Sequence, residues 1–438
     1  MNLYSYHIFY FPFRWSLPAD ANKPFSMQAN LDHIPVNSFS MWERIQLDKQ
    51  NPCPPRTEQD LEEAKEMFGE QQYYFDFVHP VLYDMKGAVC PLIHHYERRE
   101  PKSKEVFYLI QVKDKAYQLK VESMNLNLYS TGVGILSFYL ANEHESQKNE
   151  AAIRDINQFG RRIMPPHSGE FNPNKRNMLA TSIAIQGLEG ELSLYTDDFD
   201  YQEQATGNNR GLSTVWEPAR FIQNLIKDLS PELEVIPAID DRMLVNCWYG
   251  NDQLSEQVRN EGEDEKSSFV KGDFWYKYVF VDDGKEDTCQ NDSMKEHLLK
   301  TSTYFRWQKY GTLYGVSRYS FVALTSQGFT LAAMHMRTIY SRMFELVIIQ
   351  RASMLRFSSE VTKVSDLTGA SHKEVAIRIG SLYKEYIRFV NQIYFRNVTV
   401  QDQGIELYNM LMEQFASNEQ IKDLDEEIGE LYQYITLL

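Results

Sequence analysis

Ile421-Lys422-Asp423-Leu424-Asp425-Glu426-Glu427-Ile428-Gly429-Glu430-Leu431-Tyr432-Gln433-Tyr434-Ile435-Thr436-Leu437-Leu438 carries apolar residues at 421, 424, 428, 431, 435 and 438. These spacings of three and four form a heptad seam along one face of a helix. Ile405, Tyr408, Met412 and Phe415 repeat the 3-4-3 spacing one residue out of phase, which predicts a last helix from about Thr399 to Leu438. No Gly, Asn or Pro cap follows the seam, and Leu438 itself lies on it, so the helix is expected to be a stalk that continues beyond this residue. The plainer alternative is an ordinary terminal helix. Residues 401–438 hold nine acids (Asp402, Glu406, Glu413, Glu419, Asp423, Asp425, Glu426, Glu427, Glu430) and one base, Lys422; their charge of −8 is half of the total of −16.

Upstream, residues 327–438 keep a helical period. Leu331, Met334, Ile339, Met343, Leu346, Ile349, Met354 and Phe357 predict one long helix over 329–364. Asp366–Ser371 breaks it. Ser371 and Glu374 have capping-box spacing for a second helix through Val375, Ile379, Leu382, Tyr386 and Phe389 to about Tyr394. Residues 1–326 read instead as a mixed α/β (α+β) domain. Strands are expected at 4–15, 73–82, 105–112, 117–123, 126–140, 181–195, 243–248 and 274–281, and helices at 149–159, ended by Gly160, and at 217–229, with Pro218 near its start. Pro12 should confine the first strand to an edge or end it. Residues 18–60 and the acidic stretches 261–265 and 282–287 read as loops.

A length of 438 residues allows two to four domains, or one large one with an appendage, and 43% hydrophobic residues describe a folding chain. The acidic balance argues against binding a nucleic-acid duplex through its backbone. No run of about 18 apolar residues is present, and the N-terminus lacks a signal-peptide layout, so the chain reads as cytoplasmic. Cys53, Cys90, Cys247 and Cys289 form no C-x-x-C pair, which leaves ordinary reduced thiols.

The nucleotide-binding P-loop, the dinucleotide glycine fingerprint, the zinc-protease helix and the nucleophile elbow are all missing, and no catalytic residue is assigned. His94-His95 would face opposite sides of a strand. Asp197-Asp198, Asp240-Asp241 and Asp282-Asp283 could each ligate a hard cation but are more often solvated turns. Arg161-Arg162, between Gly160 and Met164-Pro165-Pro166, could present a fork to phosphate or form an interface ion pair. Residues 304–321 (YFRWQKYGTLYGVSRYSF) interleave Arg306, Tyr310, Tyr314 and Arg318, which suits stacking on a base while gripping phosphate; the alternative is a buried strand pair joined near Gly311. Gly132-Val133 with Ser137-Phe138 echoes Gly315-Val316 with Ser320-Phe321, by duplication or by chance.

With its α/β domain, its two long helices and the acidic LDEEIGELYQYI phrase of its last helix, the chain resembles the cytoplasmic part of the CorA/ZntB superfamily of divalent-cation channels, over about 327–438. The FPFRW, INQFGRR and YGTLYGVSRYSF stretches resemble a divergent branch with a long N-terminal region. The resemblance implies a regulatory domain on the cytoplasmic face of the inner membrane. It implies a pentameric parent and Mg2+ or another divalent cation as cofactor or cargo. In the branch that accompanies type III CRISPR antiviral defence, it implies gating by a nucleotide second messenger such as an S-adenosylmethionine–AMP conjugate. The family's Gly-Met-Asn motif and both membrane helices are not found in this sequence, so transport is inferred only for a longer parent, and the family's interdomain metal ligands are not carried over because no local motif aligns them. For an anionic nucleotide, Arg161, Arg162, Arg306 and Arg318 are the expected phosphate ligands, and Tyr310 or Tyr314 the stacking residue. The rival expectations are a soluble coiled-coil scaffold without a transport role, and an enzyme of unrecognised type.

Overall fold

The computed structural model describes residues 3–18, 23, 28–49, 58–100, 104–163, 180–199, 218–240, 242–261, 269–282, 287–365 and 371–436. Its centre is one sheet of thirteen strands: β1 Ser5–Ser16, β2 Trp42–Arg44, β3 Ile93–Arg98, β4 Phe107–Val112, β5 Lys115–Tyr129, β6 Val133–Asn142, β7 Ser182–Gln186, β8 Thr196–Asp198, β9 Glu234–Pro237, β10 Leu244–Gly250, β11 Thr303–Tyr304, β12 Leu313–Val316 and β13 Ser320–Thr325. The order is β11-β12-β13-β10-β1-β6-β5-β4-β7-β8, with β9 on β1, β3 on β5 and β2 on β3. All the ladders are antiparallel except β10 with β13. The helices are α1 Glu58–Tyr73, α2 His79–Leu82, α3 Glu150–Phe159, α4 Arg220–Leu229, α5 Asp252–Asn260, α6 Asp273–Phe280, α7 Asp292–Ser302, α8 Thr330–Arg337, α9 Ile339–Ser365, α10 His372–Gln392, α11 Asp402–Gln414 and α12 Ser417–Thr436. The expected α+β class, with helices gathered at the C-terminal end, is observed.

Because side chains alternate along a strand, β1 feeds two cores. Phe9, Phe11 and Phe13 join Tyr108, Phe138 and Phe221 of α4 on one face, while Tyr6, Ile8 and Tyr10 meet α8 and α9 on the other. Tyr10 packs edge-on against Phe344 of α9 at 5.6 Å. The result is a three-layer sandwich. The helices after residue 326 therefore share a core with the N-terminal strands, and α9 is buried along most of its length.

Several elements differ from the sequence reading for identifiable reasons. Pro12 lies in a central strand. Its carbonyl accepts the Ala238 N–H at 3.0 Å, so its N position points to the same side, between the end of the β10 ladder at Tyr10 and the start of the β9 ladder at Phe13. The missing donor thus falls where no ladder bond is needed. Residues 73–82 and 274–281 are aromatic-rich but helical or turned, because they pack against helices and sheet faces rather than pairing. The 126–140 run is two strands, split at Gly132, whose φ of +71° suits glycine. The glycine echo is not a structural repeat, since Val133–Phe138 lie in one strand while Val316 and Ser320 flank a turn between two.

The 329–364 helix breaks at Thr338. The last helix breaks at Phe415–Ala416, where Ala416 takes a φ of +50°. This break sits where the two seams fall out of phase and lets each seam face inward. Ile421, Leu424 and Ile428 are buried and Leu431 and Ile435 half-buried, in a core shared with Phe357, Leu382, Tyr386 and Phe389 of α9 and α10. Ser371 and Glu374 form the expected capping box. The expected helix start at Glu217, the expected break at Asp366–Ala370, most of the two acidic loops and Leu438 lie outside the described residues.

Candidate functional site

Polar residues recur on the sheet-facing side of α9: Arg342, Glu345, Ser353, Arg356 and Glu360. Each finds a partner on the sheet or on the helix itself, as buried polar groups must. Ser353 shares a 2.8 Å hydrogen bond with Thr131, and Arg356 donates to the Trp15 carbonyl at 3.0 Å and to that of Gly132. Glu360 pairs with Lys363 at 2.7 Å. Glu345 accepts from Tyr129 at 2.8 Å and from Asn127 Nδ2. Because Asn127 gives its amide hydrogens to Glu345, its Oδ1 faces His95 Nδ1. That fixes the proton of His95 on Nδ1 and leaves Nε2 as an acceptor. Burial holds the pKa of His95 down at about 4, so the ring is neutral at pH 7.

Arg342 stands at the end of this network. Its Nε lies 3.4 Å from Glu70 and its Nη1 3.8 Å from Glu345, distances longer than direct N–H···O contact. Tyr83 donates to Glu70 at 2.8 Å and lies under the guanidinium at 5.9 Å. Over this group opens a chamber of about 250 Å³ lined by Arg342, Glu66, Glu70, Tyr83, Asp84 and His95, with Met67 and Leu82 as apolar walls. Asp84 is already held by Arg44 at 2.6 and 3.0 Å and by Gln46 at 3.1 Å, and Glu66 by Arg337 at 2.9 Å.

The chamber adjoins a larger open cleft of about 1360 Å³ between α1 and the 46–49 segment, with Gln46, Leu47 and Met67 common to both. Phe68, Phe75, Gln71, Gln72 and Gln401 supply its stacking and amide groups, and Lys49 and Lys86 its positive charge. Lys49 contacts His79 at 2.7 Å and Lys86 pairs with Asp48 at 3.0 Å. Asp48 and Asp76 also line the cleft and balance the two lysines, and its aromatic faces and amides beside a shielded arginine form a set that can hold a flat, polar organic molecule.

The residues expected from sequence do not converge there. Arg161 and Arg162 are buried on the opposite side of the sheet. Arg162 donates to the Ala180 carbonyl at 2.7 Å and stacks on Phe199 at 4.0 Å, while Arg161 stacks on Tyr319 at 5.5 Å. The flanking 164–166 segment lies outside the described residues. Arg306 pairs with Glu406 at 2.7 Å, and Arg318 donates to the Gln414 carbonyl at 3.1 Å, so the two clamp the opposite ends of α11, the second favoured by the helix dipole. Tyr310 is exposed at the sheet's edge, and Tyr314 is buried against Tyr304, Phe321 and Tyr340. Burial removes Tyr314 as a stacking platform.

Two other constellations resemble chemistry but are structural. Cys247, His7 and Asn157 lie together, with 3.4 Å from sulfur to ring and 2.7 Å from ring to amide. All three are buried, and burial pushes the thiol up to about 12 and the imidazole down to about 4, so the reactive thiolate–imidazolium pair is disfavoured. Asp197 accepts the Arg220 N–H at 2.7 Å and so satisfies the first turn of α4. His94 and His95 point to opposite faces of β3, and among the described residues no group of three His, Cys, Asp or Glu is placed to hold a metal ion. Asp241 and Asp283 lie outside the described residues. No described helix is long and apolar enough to cross a membrane.

No protein-family model, curated protein or solved structure matches the chain.

Proposed function

We propose that this chain is the ligand-sensing part of a CorA-like divalent-cation channel, and that its ligand, an anionic nucleotide, occupies the cleft over Arg342. One observation carries the proposal: α9 lines the inner chamber through Arg342 near its first turn and packs further along against the acidic helix α12. A ligand that engages Arg342 must compete with Glu70 and Glu345 for the guanidinium, and Glu345 belongs to the same helix. Differential binding of this kind shifts a two-state element only if the ligand prefers one arrangement. A largely buried helix is a means of transmitting that preference. The reading assigns the pore to membrane-spanning segments beyond these residues, with Mg2+ or another divalent cation as cargo.

The scaffold alternative draws no support from α12, whose seam is occupied within the chain. The channel reading is tested by Mg2+ flux into liposomes carrying the membrane-spanning polypeptide to which it assigns these residues. Addition of the S-adenosylmethionine–AMP conjugate should change the flux, and Lys49→Glu with Lys86→Glu should abolish the response while leaving ligand-free flux unaltered. A polypeptide without flux, or one with an unchanged response in the double variant, would remove the proposal.

A further inference from the structure

α10 and α12 each turn one face inward to the shared core, and each carries a second, ordered stripe on the outside. On α12 this stripe is Glu419, Asp423, Glu426 and Glu430, at intervals of four, three and four, all exposed. On α10 it is Lys373, Ile377 and Lys384, also exposed, with Ile377 at 52%. Among the described residues, neither the four acids nor the two lysines make an ion pair within 4 Å.

The spacing of the two stripes matches. Lys373 to Lys384 and Glu419 to Glu430 are both eleven residues, three helical turns and about 16 Å. Between the lysines, Gly380 has open space where a side chain would stand, and so does Gly429 beside the acids. Among the described residues, open space at these two positions leaves room for the approach of a second helix. The stripes cannot meet within one molecule, because the inward seams of α10 and α12 (Ile379, Leu382, Tyr386 and Phe389; Ile421, Leu424 and Ile428) turn both outer faces away from the bundle.

We propose that the acidic stripe of α12 in one copy docks on the lysine–isoleucine stripe of α10 in a second copy of this chain. The two patches differ, so the contact is head-to-tail and propagates into a ring or a string, unlike the self-complementary contact of a two-fold dimer. A second copy is the favoured occupant because one chain carries both halves at equal spacing and opposite charge. The inference stands apart from the ligand cleft and holds whether or not the cleft binds a nucleotide.

The test is sedimentation velocity of the purified chain at low and at 0.5 M salt, with two charge-reversed variants, Lys373→Glu with Lys384→Glu, and Glu426→Lys with Glu430→Lys. The wild type should associate at low salt, with an association constant falling at least about tenfold at high salt as the charges are screened. Each variant alone should sediment as a monomer. Mixed in equal amounts, the two should associate again, because each then offers the other a complementary face. All altered residues are exposed, so unchanged circular dichroism and melting temperature verify the fold. A monomeric wild type, a variant that associates as the wild type does, or a mixture that stays monomeric overturns the proposal.

Discussion

His7 shows how far a side chain's surroundings can displace its chemistry. Its ring is sealed in the core, bonded to Asn157 at 2.7 Å and Ser5 at 2.8 Å, and burial lowers its pKa to about 4. The unfolded chain takes up a proton near pH 6.5, where the native state does not. Below that pH the unfolded state binds more protons, so this contribution is complete above pH 6.5 and is lost as the pH falls toward 4. The loss amounts to about 3 kcal/mol at its full extent. Urea denaturation of the wild type between pH 7 and 4 should show it, and a His7→Asn variant should show a shallower pH dependence. Equal slopes would mean that His7 takes up its proton in the folded protein at the same pH as in the unfolded chain. None of this was legible in the sequence, where residues 7, 157 and 247 are far apart. Arg342 and Glu345 did leave a local sign, two charges three apart inside an apolar helix. Arg306 and Arg318 in the 304–321 stretch hold α11, and Tyr314 fills the core.

Among the elements, period was a sound guide and composition a poor one. The capping box at Ser371, the amphipathic α3 and the heptad seam of α12 could be read because local spacing determines which face is apolar. Residues 73–82 and 274–281 are helical or turned rather than the strands expected of them, because aromatic side chains suit strands and buried helices alike. The direction in which α12 faces could not be read, since a seam on a free stalk and a seam buried in its own bundle have the same spacing. Its energetics differ, however. Leu424 is 2% exposed in a core shared with α9 and α10. Leu424→Ala should therefore lower the unfolding free energy of the chain by about 2–5 kcal/mol. A loss under about 0.5 kcal/mol, the range of ordinary surface changes, would mean that α12 stands away from the bundle.

Across the whole molecule, the sheet separates two roles. One face is closed by α3, α4 and α6 over a core of aromatic residues. The other carries α9, whose polar stripe ties the helical bundle to β1, β5 and the turn that follows β5 and leads to the cleft under α1. The class of the fold could be anticipated from alternating strands followed by helices. The cleft could not, because its walls come from residues 45–49, 64–86, 95, 338–342 and 400–401, which only the fold brings together. Half of the net charge lies beyond residue 400, and the structure places much of it on the outer face of α12, the helix that α9 contacts.

The most direct test of this coupling is amide hydrogen exchange of the purified chain with and without the S-adenosylmethionine–AMP conjugate, with AMP as the reference ligand. The account predicts changed protection in two places, at 66–86 around the cleft and at 417–436 in α12, both absent in an Arg342→Gln variant whose folding is verified by calorimetry. Protection confined to another surface, or no change with either nucleotide, would contradict it.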